Sequence, residues 1–163
     1  MNDIFLLENW EQLRTIVPPF LVRCGVAALC GGLIGLERER KGKPAGFRTN
    51  ILICLGASMY MAVGLLLDSE ATTDPARIAA QVVTGIGFLG AGCIIQQGGR
   101  VVGLTTAATI WVVAAIGIIA GAGFPILAII ASSMVLLTLV VLGQIEARFL
   151  DPGGSDDFGD HGR

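Results

Sequence analysis

Three long stretches without a charged residue constrain this chain more than any other feature. No Asp, Glu, Lys or Arg occurs over residues 49–67, 78–99 or 101–145. Each of the first two stretches matches one membrane-spanning helix, because a bilayer core of about 30 Å takes about 20 helical residues. The third would form a helix of about 68 Å and must therefore turn. The sequence "GAGFP" at residues 121–125 favours that turn, since Gly and Pro interrupt helices.

A further apolar segment precedes these stretches and contains a single charge, Arg23. Backbone groups in lipid must be paired within the protein, which leaves helices or a closed barrel. The apolar runs are uninterrupted and exclude the alternating pattern of barrel strands. The sequence therefore predicts an all-α membrane protein, a bundle of five transmembrane helices. The predicted spans lie near residues 16–36, 49–67, 78–99, 104–120 and 125–145.

The basic residues are concentrated on one side of the predicted spans, mainly in the loop that follows the first one. The positive-inside rule then predicts an amino end outside and a carboxyl end in the cytoplasm. Residues 1–15 combine acidic residues with apolar ones at helical spacing, which predicts an amphipathic segment on the outer interface. Residues 16–148 form the predicted transmembrane domain. The polar, glycine-rich residues 149–163 predict a disordered cytoplasmic tail.

Several classes of function are disfavoured by composition. A net charge of -2 disfavours a nucleic-acid-binding protein. The single histidine, His161, lies in the predicted tail, and no two of the four cysteines have CxxC spacing. This set provides neither a typical transition-metal site nor a nucleophile–histidine pair. We therefore expect no enzyme activity, no cofactor and no metal site.

Polar residues within the predicted spans are the first candidates for function. Arg23 lies about 10 Å below the outer surface, where its side chain either reaches the headgroups or meets a partner inside the bundle. Asp74 before Pro75 is typical of a helix N-cap, with proline in the first turn. The helix that follows carries three polar residues on one face: Arg77, Gln81 and Thr84.

Glycines cluster in the middle of the predicted third span, at Gly85, Gly87, Gly90 and Gly92. The letters "GIGFLG" match a dinucleotide-binding fingerprint, but that motif must follow a strand, and here it lies within an apolar span. The glycines predict tight packing against another helix. The alternative is an unwound stretch whose carbonyls face a cavity. Two GxxxG spacings, at residues 31–35 and 117–121, also predict helix packing.

Charged and hydroxyl side chains cluster at the predicted cytoplasmic face. Glu37, Glu39 and Arg48 belong to the segment "ERERKGKPAGFRT" and flank the membrane face. This loop can anchor the chain at anionic lipid headgroups. Its charges can also pair with one another, bind a cation or contact a partner. Thr105 and Thr106 open the predicted fourth span and can bond to carbonyls of the same or a neighbouring helix.

Three blocks of sequence carry a family resemblance: "GGLIGLERERKGKPAGFRTNILICLGA", "DPARIAAQVVTGIGFLGAGCII" and "GLTTAATIWVVAAIGIIAG". In this order they resemble the MgtC/SapB family of bacterial inner-membrane proteins, over residues 20–145. The positions marked by the resemblance are Glu37, Arg38, Glu39, Ala45, Gly46, Arg48, Thr49, Arg77, Gly85, Gly87, Phe88, Gly90, Ala91, Gly92, Gly103, Leu104, Thr105, Thr106, Ala107 and Trp111.

The resemblance implies a multi-pass protein of the bacterial cytoplasmic (inner) membrane. It implies a role in growth at low magnesium, in the survival of pathogens inside host cells and in restraint of the ATP synthase membrane sector. Some members are labelled ATPase proteins, but this sequence has no GxxxxGK[ST] loop. The best-known members carry a soluble carboxyl-terminal domain after the last span, so we expect this chain to be a short form.

Two functional hypotheses follow. The first is a regulatory membrane protein in magnesium limitation or stress adaptation. Its glycine-lined faces would contact transmembrane helices of its own copies or of another complex, and its other partners would be membrane lipids. The alternative is a small oligomeric ion or solute transporter or channel. In that case Arg23 and the polar face of the third span would line the path.

Overall fold

The structure, a computed structural model, describes residues 10–67 and 74–149. The predicted tail beyond residue 149 and most of the amphipathic segment, residues 1–9, lie outside this part. The elements are α1 (Trp10–Arg40), α2 (Phe47–Leu67), α3 (Pro75–Gly92), β1 (Ile95–Gln97), β2 (Arg100–Val102), α4 (Leu104–Gly121), α5 (Pro125–Leu137), a π-helical turn (Thr138–Leu142) and α6 (Gly143–Phe149).

Four helical segments are long and apolar enough to cross a membrane: Leu13–Arg40, Phe47–Leu67, Leu104–Gly121 and Pro125–Ile145. They correspond to the first, second, fourth and fifth predicted spans, and the predicted helical membrane architecture is thereby confirmed. The chain is a multi-pass membrane protein. Helix α3 is not among these four segments, so the count of five spans and their orientation stay predictions.

Helix α1 is longer than the span predicted near residues 16–36. It has 31 residues and continues through Pro18 and Pro19. Residues 10–15, which the sequence assigns to a separate amphipathic segment, are the first turns of this same helix. The membrane-spanning part therefore continues directly from the described part of the amino-terminal segment.

The predicted third span is wrong at its carboxyl end. The helix expected to reach residue 99 ends at Gly92, and an antiparallel hairpin of β1 and β2 follows. Gly98 and Gly99 form its turn with φ angles of 56° and 81°. Two consecutive residues with positive φ are typical of the two-residue turn that connects the strands of a β-hairpin. The strands flanking it contain Ile and Val, which favour extended backbone.

Helices α1, α2 and α4 pack together in the middle of the bundle. Helix α5 packs against α1 and α4, and α3 packs against α4 and, less extensively, α2. Many core side chains are small, which lets helix backbones approach closely in lipid. The buried core consists of Ala27, Cys30, Ile34, Cys54, Val113, Ile116, Ala120 and Ala128.

Glycines make the closest contacts of this core. A Cβ atom at Gly31 would lie 2.6 Å from the carbonyl oxygen of Asn50, and a Cβ atom at Gly35 would also meet the α2 backbone. Gly117 and Gly121 approach carbonyl groups of α2 in the same way. Both GxxxG spacings therefore lie at tight contacts with α2, and this prediction is confirmed.

The bundle has two ends, which contacts along α1 define. Arg23 on α1 contacts Gly121 at the end of α4, whereas Arg38 contacts Thr106 at the start of α4. Helices α1 and α4 are therefore antiparallel. We call the end where α1 ends and α2 and α4 begin the Glu37 end, and the opposite end the Arg23 end.

Candidate functional site

The marked charged residues of the sequence come together at the Glu37 end. The last turn of α1, the first turns of α2 and α4, and the π-helical turn all contribute side chains or carbonyl groups to it. Three consecutive residues of α1, Glu37, Arg38 and Glu39, make three different contacts. Glu39 contacts the start of α2, Arg38 contacts the start of α4, and Glu37 contacts Lys41 just after the last turn of α1.

Glu39 closes the start of α2. Its Oε2 accepts a hydrogen bond of 2.6 Å from the backbone N–H of Phe47. The first N–H groups of a helix have no partner within the helix, and a carboxylate there also interacts favourably with the helix dipole. A Cβ atom at Gly46 would lie 2.6 Å from the same Oε2. The glycine of "PAGF" thus leaves room for the cap.

Asn50 fixes the loop between α1 and α2 from the inside. Its side-chain amide is fully buried and donates to the carbonyl oxygens of Ala45 at 2.9 Å and Gly46 at 2.8 Å. Buried polar groups are costly unless paired, so these two bonds hold the loop against the bundle. Arg48, two residues before Asn50, is exposed at the start of α2.

Arg38 is the buried cation of this end, with 3% of its surface exposed. Its Nη2 donates to Oγ1 of Thr106 at 3.1 Å. Its Nε is buried and has no hydrogen-bond partner among the described residues. Thr106 is itself buried, whereas the neighbouring Thr105 is exposed. The buried guanidinium therefore bonds to one neutral hydroxyl, and the carboxylate of the neighbouring Glu37 interacts with it electrostatically.

Glu37 and Lys41 form an ion pair on the last turn of α1. The Lys41 Nζ lies 2.6 Å from Glu37 Oε1, and only 10% of the Glu37 side chain is exposed. Both carboxylate oxygens of Glu37 are buried, and neither has a hydrogen-bond partner among the described residues. The same Nζ donates to the Leu139 carbonyl oxygen at 3.1 Å. Lys41 therefore links α1 to the π-helical turn. Such short π-helical segments are often found at functional sites.

Arg23 has a partner inside the protein. Its Nη1 donates to the carbonyl oxygen of Gly121 at 3.0 Å, at the end of α4. The last carbonyl groups of a helix are unpaired and carry partial negative charge, which suits a cation. The structure thus shows the interior contact, to a main-chain carbonyl, that the sequence left open.

The polar residues of α3 lie away from Arg23. Arg77, Gln81 and Thr84 are exposed, and Thr84 Oγ1 donates to the carbonyl of its own helix at Ala80. Helix α3 makes at most marginal contact with α1. Asp74 caps α3, since its Oδ1 accepts from the Ala76 N–H at 2.9 Å. The predicted cap is confirmed.

The glycines of α3 differ from those of α1 and α4. A Cβ atom at Gly85, Gly87 or Gly92 would meet nothing within 4 Å, and at Gly90 it would make ordinary contact with Ala107 at 3.7 Å. The helix is continuous through this stretch. In one copy of the chain, these glycines form neither an unwound segment nor, apart from Gly90, a packed face.

Sequence reasoning missed the burial of Arg38 and the link from Lys41 to Leu139. A signal for Arg38 was present, because it continues the helical spacing of the core residues Cys30 and Ile34. The Lys41 contact depends on the π-helical turn, which the apolar sequence "TLVVL" does not reveal. Within residues 10–67 and 74–149, no group of three or more His, Cys, Asp or Glu residues is arranged to hold a metal ion.

Comparison with known proteins finds relatives of this chain in several bacteria. The chain is 48% identical over 139 residues to the Escherichia coli protein named "Putative magnesium transporter YhiD", which covers 81% of this chain and 64% of the relative. It is 50% identical over 97 residues to protein MgtC of Brucella abortus, covering 60% of this chain and 40% of the relative. It is 39% identical over 135 residues to protein MgtC of Salmonella typhimurium, covering 83% and 57%.

The chain thus spans less than two thirds of the length of these relatives. No solved structure matches it. A profile of the MgtC family matches residues 24–148, which include the Glu37 end, α3 and all of α4. The chain belongs to the MgtC family.

Proposed function

We propose that this chain is a regulatory protein of the bacterial inner membrane. It acts in adaptation to low magnesium by docking α3 against a transmembrane helix of another subunit. The observation that carries this proposal is the exposed face of α3, which has the composition of a helix-packing surface. In this proposal the protein itself catalyses no reaction.

The face of α3 that points away from the bundle is lined by small side chains. Ala80, Thr84, Gly87 and Ala91 are all exposed and are spaced by four, three and four residues. This is the spacing of a heptad seam, in which two helices pack along a narrow stripe. Small residues on such a stripe allow close approach in lipid, where apolar side chains alone give little drive for association.

Helix α5 provides a comparison within the same chain. Its exposed face carries Ile126, Ile130, Met134 and Leu137, each more than half exposed. Large apolar side chains suit contact with lipid tails. The exposed face of α3 lacks this composition along its centre, which supports a protein partner there rather than lipid.

The path of the chain supports a full crossing by α3. Helix α2 ends near the start of α3, where Gly64 approaches Ile78, and the end of α3 at Gly90 contacts Ala107 near the start of α4. Helix α3 therefore runs from the Arg23 end to the Glu37 end. Together with the positive-inside rule, this path supports the proposal of five spans, with the amino end outside and the Glu37 end in the cytoplasm.

The link to magnesium comes from relatives. The Escherichia coli relative has magnesium transport in its name, and the family resemblance implies a role in growth at low magnesium. In the proposed regulatory role, the partner protein carries out ATP synthesis or transport, and this chain only modulates it. The resemblance makes the membrane sector of the ATP synthase the first candidate partner, and a second copy of this chain is another candidate.

Gly87→Leu tests the proposal directly. A Cβ atom at Gly87 would meet nothing within 4 Å, so we expect the variant to fold and insert normally. Gly25→Leu is the matched control, because Gly25 is also an exposed helical glycine with open space around it. We expect crosslinking in native membranes to capture a partner helix with the wild type and with Gly25→Leu, and to lose it with Gly87→Leu. Equal capture by all three would contradict the proposal.

The transporter alternative makes a different prediction. It needs Arg23 and the polar residues of α3 on one path, and in one copy Arg23 is bonded to the end of α4 while α3 lies on the far side of α2 and α4. Proteoliposomes of the purified chain should therefore show no Mg²⁺ flux above empty liposomes. Selective flux that is lost in Arg23→Ala would favour the transporter and overturn the regulatory proposal.

A further inference from the structure

We propose that the groove between α2 and α3 binds one glycerophospholipid, with its phosphate at the Arg23 end and one acyl chain between the two helices. The inference rests on the crossing of α3 that the proposed function includes, but it uses a different side of α3 from the docking face. It follows from the size of this groove and from the order of polar and apolar groups along it.

The groove exists because α3 leans away from α2. Ile78 of α3 approaches Gly64 of α2 near the Arg23 end, whereas Gly90 contacts Ala107 of α4 near the Glu37 end. The space left between α2 and α3 has a volume of about 500 Å³ and is open along one side. Sites for small ligands have volumes of about 300–1,000 Å³.

Two glycines widen the middle of the groove. Residues spaced by one helical turn line both of its sides: Leu52, Gly56 and Tyr60 on α2, and Gln81, Gly85 and Leu89 on α3. The helices run in opposite directions, so the leucines lie towards the Glu37 end and the two polar residues towards the Arg23 end. A Cβ atom at Gly56 or Gly85 would meet nothing within 4 Å. The missing side chains therefore leave open space at the level between the two pairs.

The volume favours an acyl chain over a partner helix. A helix is about 10 Å wide, so about 6 Å of its length, little more than one turn, would fill the whole groove. A single hydrocarbon chain is thin enough to extend along the groove. Its apolar surface matches the leucines and the glycine backbone.

Tyr60 and Gln81 place hydrogen-bond donors at membrane depth. Each lies about 10 Å from the Arg23 end of its helix, at 1.5 Å per residue. Both are exposed, so the phenol hydroxyl and the amide can bond to a group that enters the groove. Donors at this depth have no water to bond and are costly when unpaired. The ester oxygens of a glycerophospholipid are acceptors that lie just below its phosphate.

Arg77 adds a positive charge one turn before Gln81. Arg77, Gln81, Gly85 and Leu89 are all exposed and follow one another at intervals of four residues. Towards the Glu37 end, α3 thus presents a cation, an amide, open space and a large apolar side chain. A glycerophospholipid presents the complementary order of phosphate, ester and hydrocarbon chain. The planar arginine fork is well suited to phosphate.

Gly85 and Gly87 form a matched pair for the test. Helical residues two positions apart point about 200° away from each other, so the two glycines lie on nearly opposite sides of α3. Both are exposed, and a Cβ atom at either would meet nothing within 4 Å. Gly85→Leu fills the lipid groove, whereas Gly87→Leu changes only the docking face.

Two probes are titrated against the purified full chain in neutral detergent, and native mass spectrometry measures the lipid that stays bound. The probes are phosphatidylglycerol and a diacylglycerol with the same chains but no phosphate. Arg77→Gln removes the cation. Arg14→Gln is its control, since Arg14 is exposed near the start of α1, at the same end of the bundle, and does not line the groove.

The wild type should bind one phosphatidylglycerol saturably and diacylglycerol more weakly. Gly85→Leu should bind phosphatidylglycerol about tenfold more weakly, a change of about 1.4 kcal/mol, and Gly87→Leu should bind it like the wild type. Arg77→Gln should bring the two probes closer in affinity, and Arg14→Gln should leave their ratio unchanged. The proposal is overturned if the wild type binds no lipid saturably, or if both leucine variants lose binding equally.

The crosslinking experiment in native membranes separates this proposal from the proposed function. Gly85→Leu should still capture the partner helix that Gly87→Leu loses. Equal capture by the wild type and Gly87→Leu would contradict the docking face and leave the lipid result intact. Loss of capture in Gly85→Leu with unchanged lipid binding would mean that a partner helix covers the groove, and would overturn the lipid proposal.

Discussion

Arg38 and Thr106 are 68 positions apart in the chain, and a buried hydrogen bond of 3.1 Å joins them. It connects the last turn of α1 to the first turn of α4. Because α2, α3 and the hairpin lie between them in sequence, this bond fixes the relative height of two helices that no short loop connects.

Thr106→Val should destabilise the protein by about 1.5–3 kcal/mol, because the variant removes the hydroxyl that accepts a hydrogen bond from the buried Arg38 guanidinium. Thr105→Val is the control, since Thr105 is exposed and its change should stay within about 0.5 kcal/mol. Denaturant unfolding of the full chain in detergent micelles measures both. Equal losses for the two variants would show that the Arg38 contact contributes nothing.

Glu39→Ala should cost about 1 kcal/mol, because the first turn of α2 then loses its cap. Glu39→Gln keeps an acceptor oxygen for the Phe47 N–H and should recover most of that loss. The same micelle unfolding experiment compares the two. If the glutamine variant is as unstable as the alanine variant, the negative charge rather than the hydrogen bond is what matters.

Gly117→Ala should destabilise the chain by about 1–3 kcal/mol, the usual range for overpacking. The added Cβ would meet the carbonyl group of Cys54 and the side chain of Ala57 on α2. Gly25→Ala has open space and should be stabilising by about 0.5–1 kcal/mol, since alanine favours helix over glycine. Unfolding measurements should show a lower free energy of unfolding for Gly117→Ala and a higher one for Gly25→Ala. A change in the same direction for both would contradict the packing described for Gly117.

Cysteine labelling checks the orientation. In a Cys93→Ser background, a cysteine at Phe124, in the exposed turn between α4 and α5, should react with a membrane-impermeant maleimide on intact cells. A cysteine at Gln97, in the hairpin, should react only after the membrane is opened. Labelling of both positions on intact cells would mean that α4, which lies between them, does not cross the membrane.

Charge-free stretches predicted most of the architecture because lipid imposes one strong rule, that apolar helices fill its core. The rule contains no information about local backbone geometry. It extended the third span to residue 99, whereas two consecutive glycines with positive φ made Gly98 and Gly99 a hairpin turn instead. A short apolar run reads the same in a strand and in a helix.

The candidate site was predictable in part. The cap by Asp74 and the packing of Gly117 and Gly121 follow from short-range sequence signals, and the structure confirms them. The bond from Arg38 to Thr106 and the contact from Lys41 to Leu139 depend on which helices are neighbours. One sequence does not contain that information, since helix spacing assigns a residue to a face but does not name the opposing helix.

The tight contact between α2 and α4 also bears on how the protein is made. Helices α1 and α2 are synthesised first and can pair at once through Gly31 and Gly35. Helix α3 comes next, but its most extensive contact is with α4, which does not yet exist. We therefore expect α3 to complete its packing only after α4 has been synthesised and has packed against α2 through Gly117. The order in which α3 and α4 are translated would then differ from the order in which they complete their packing.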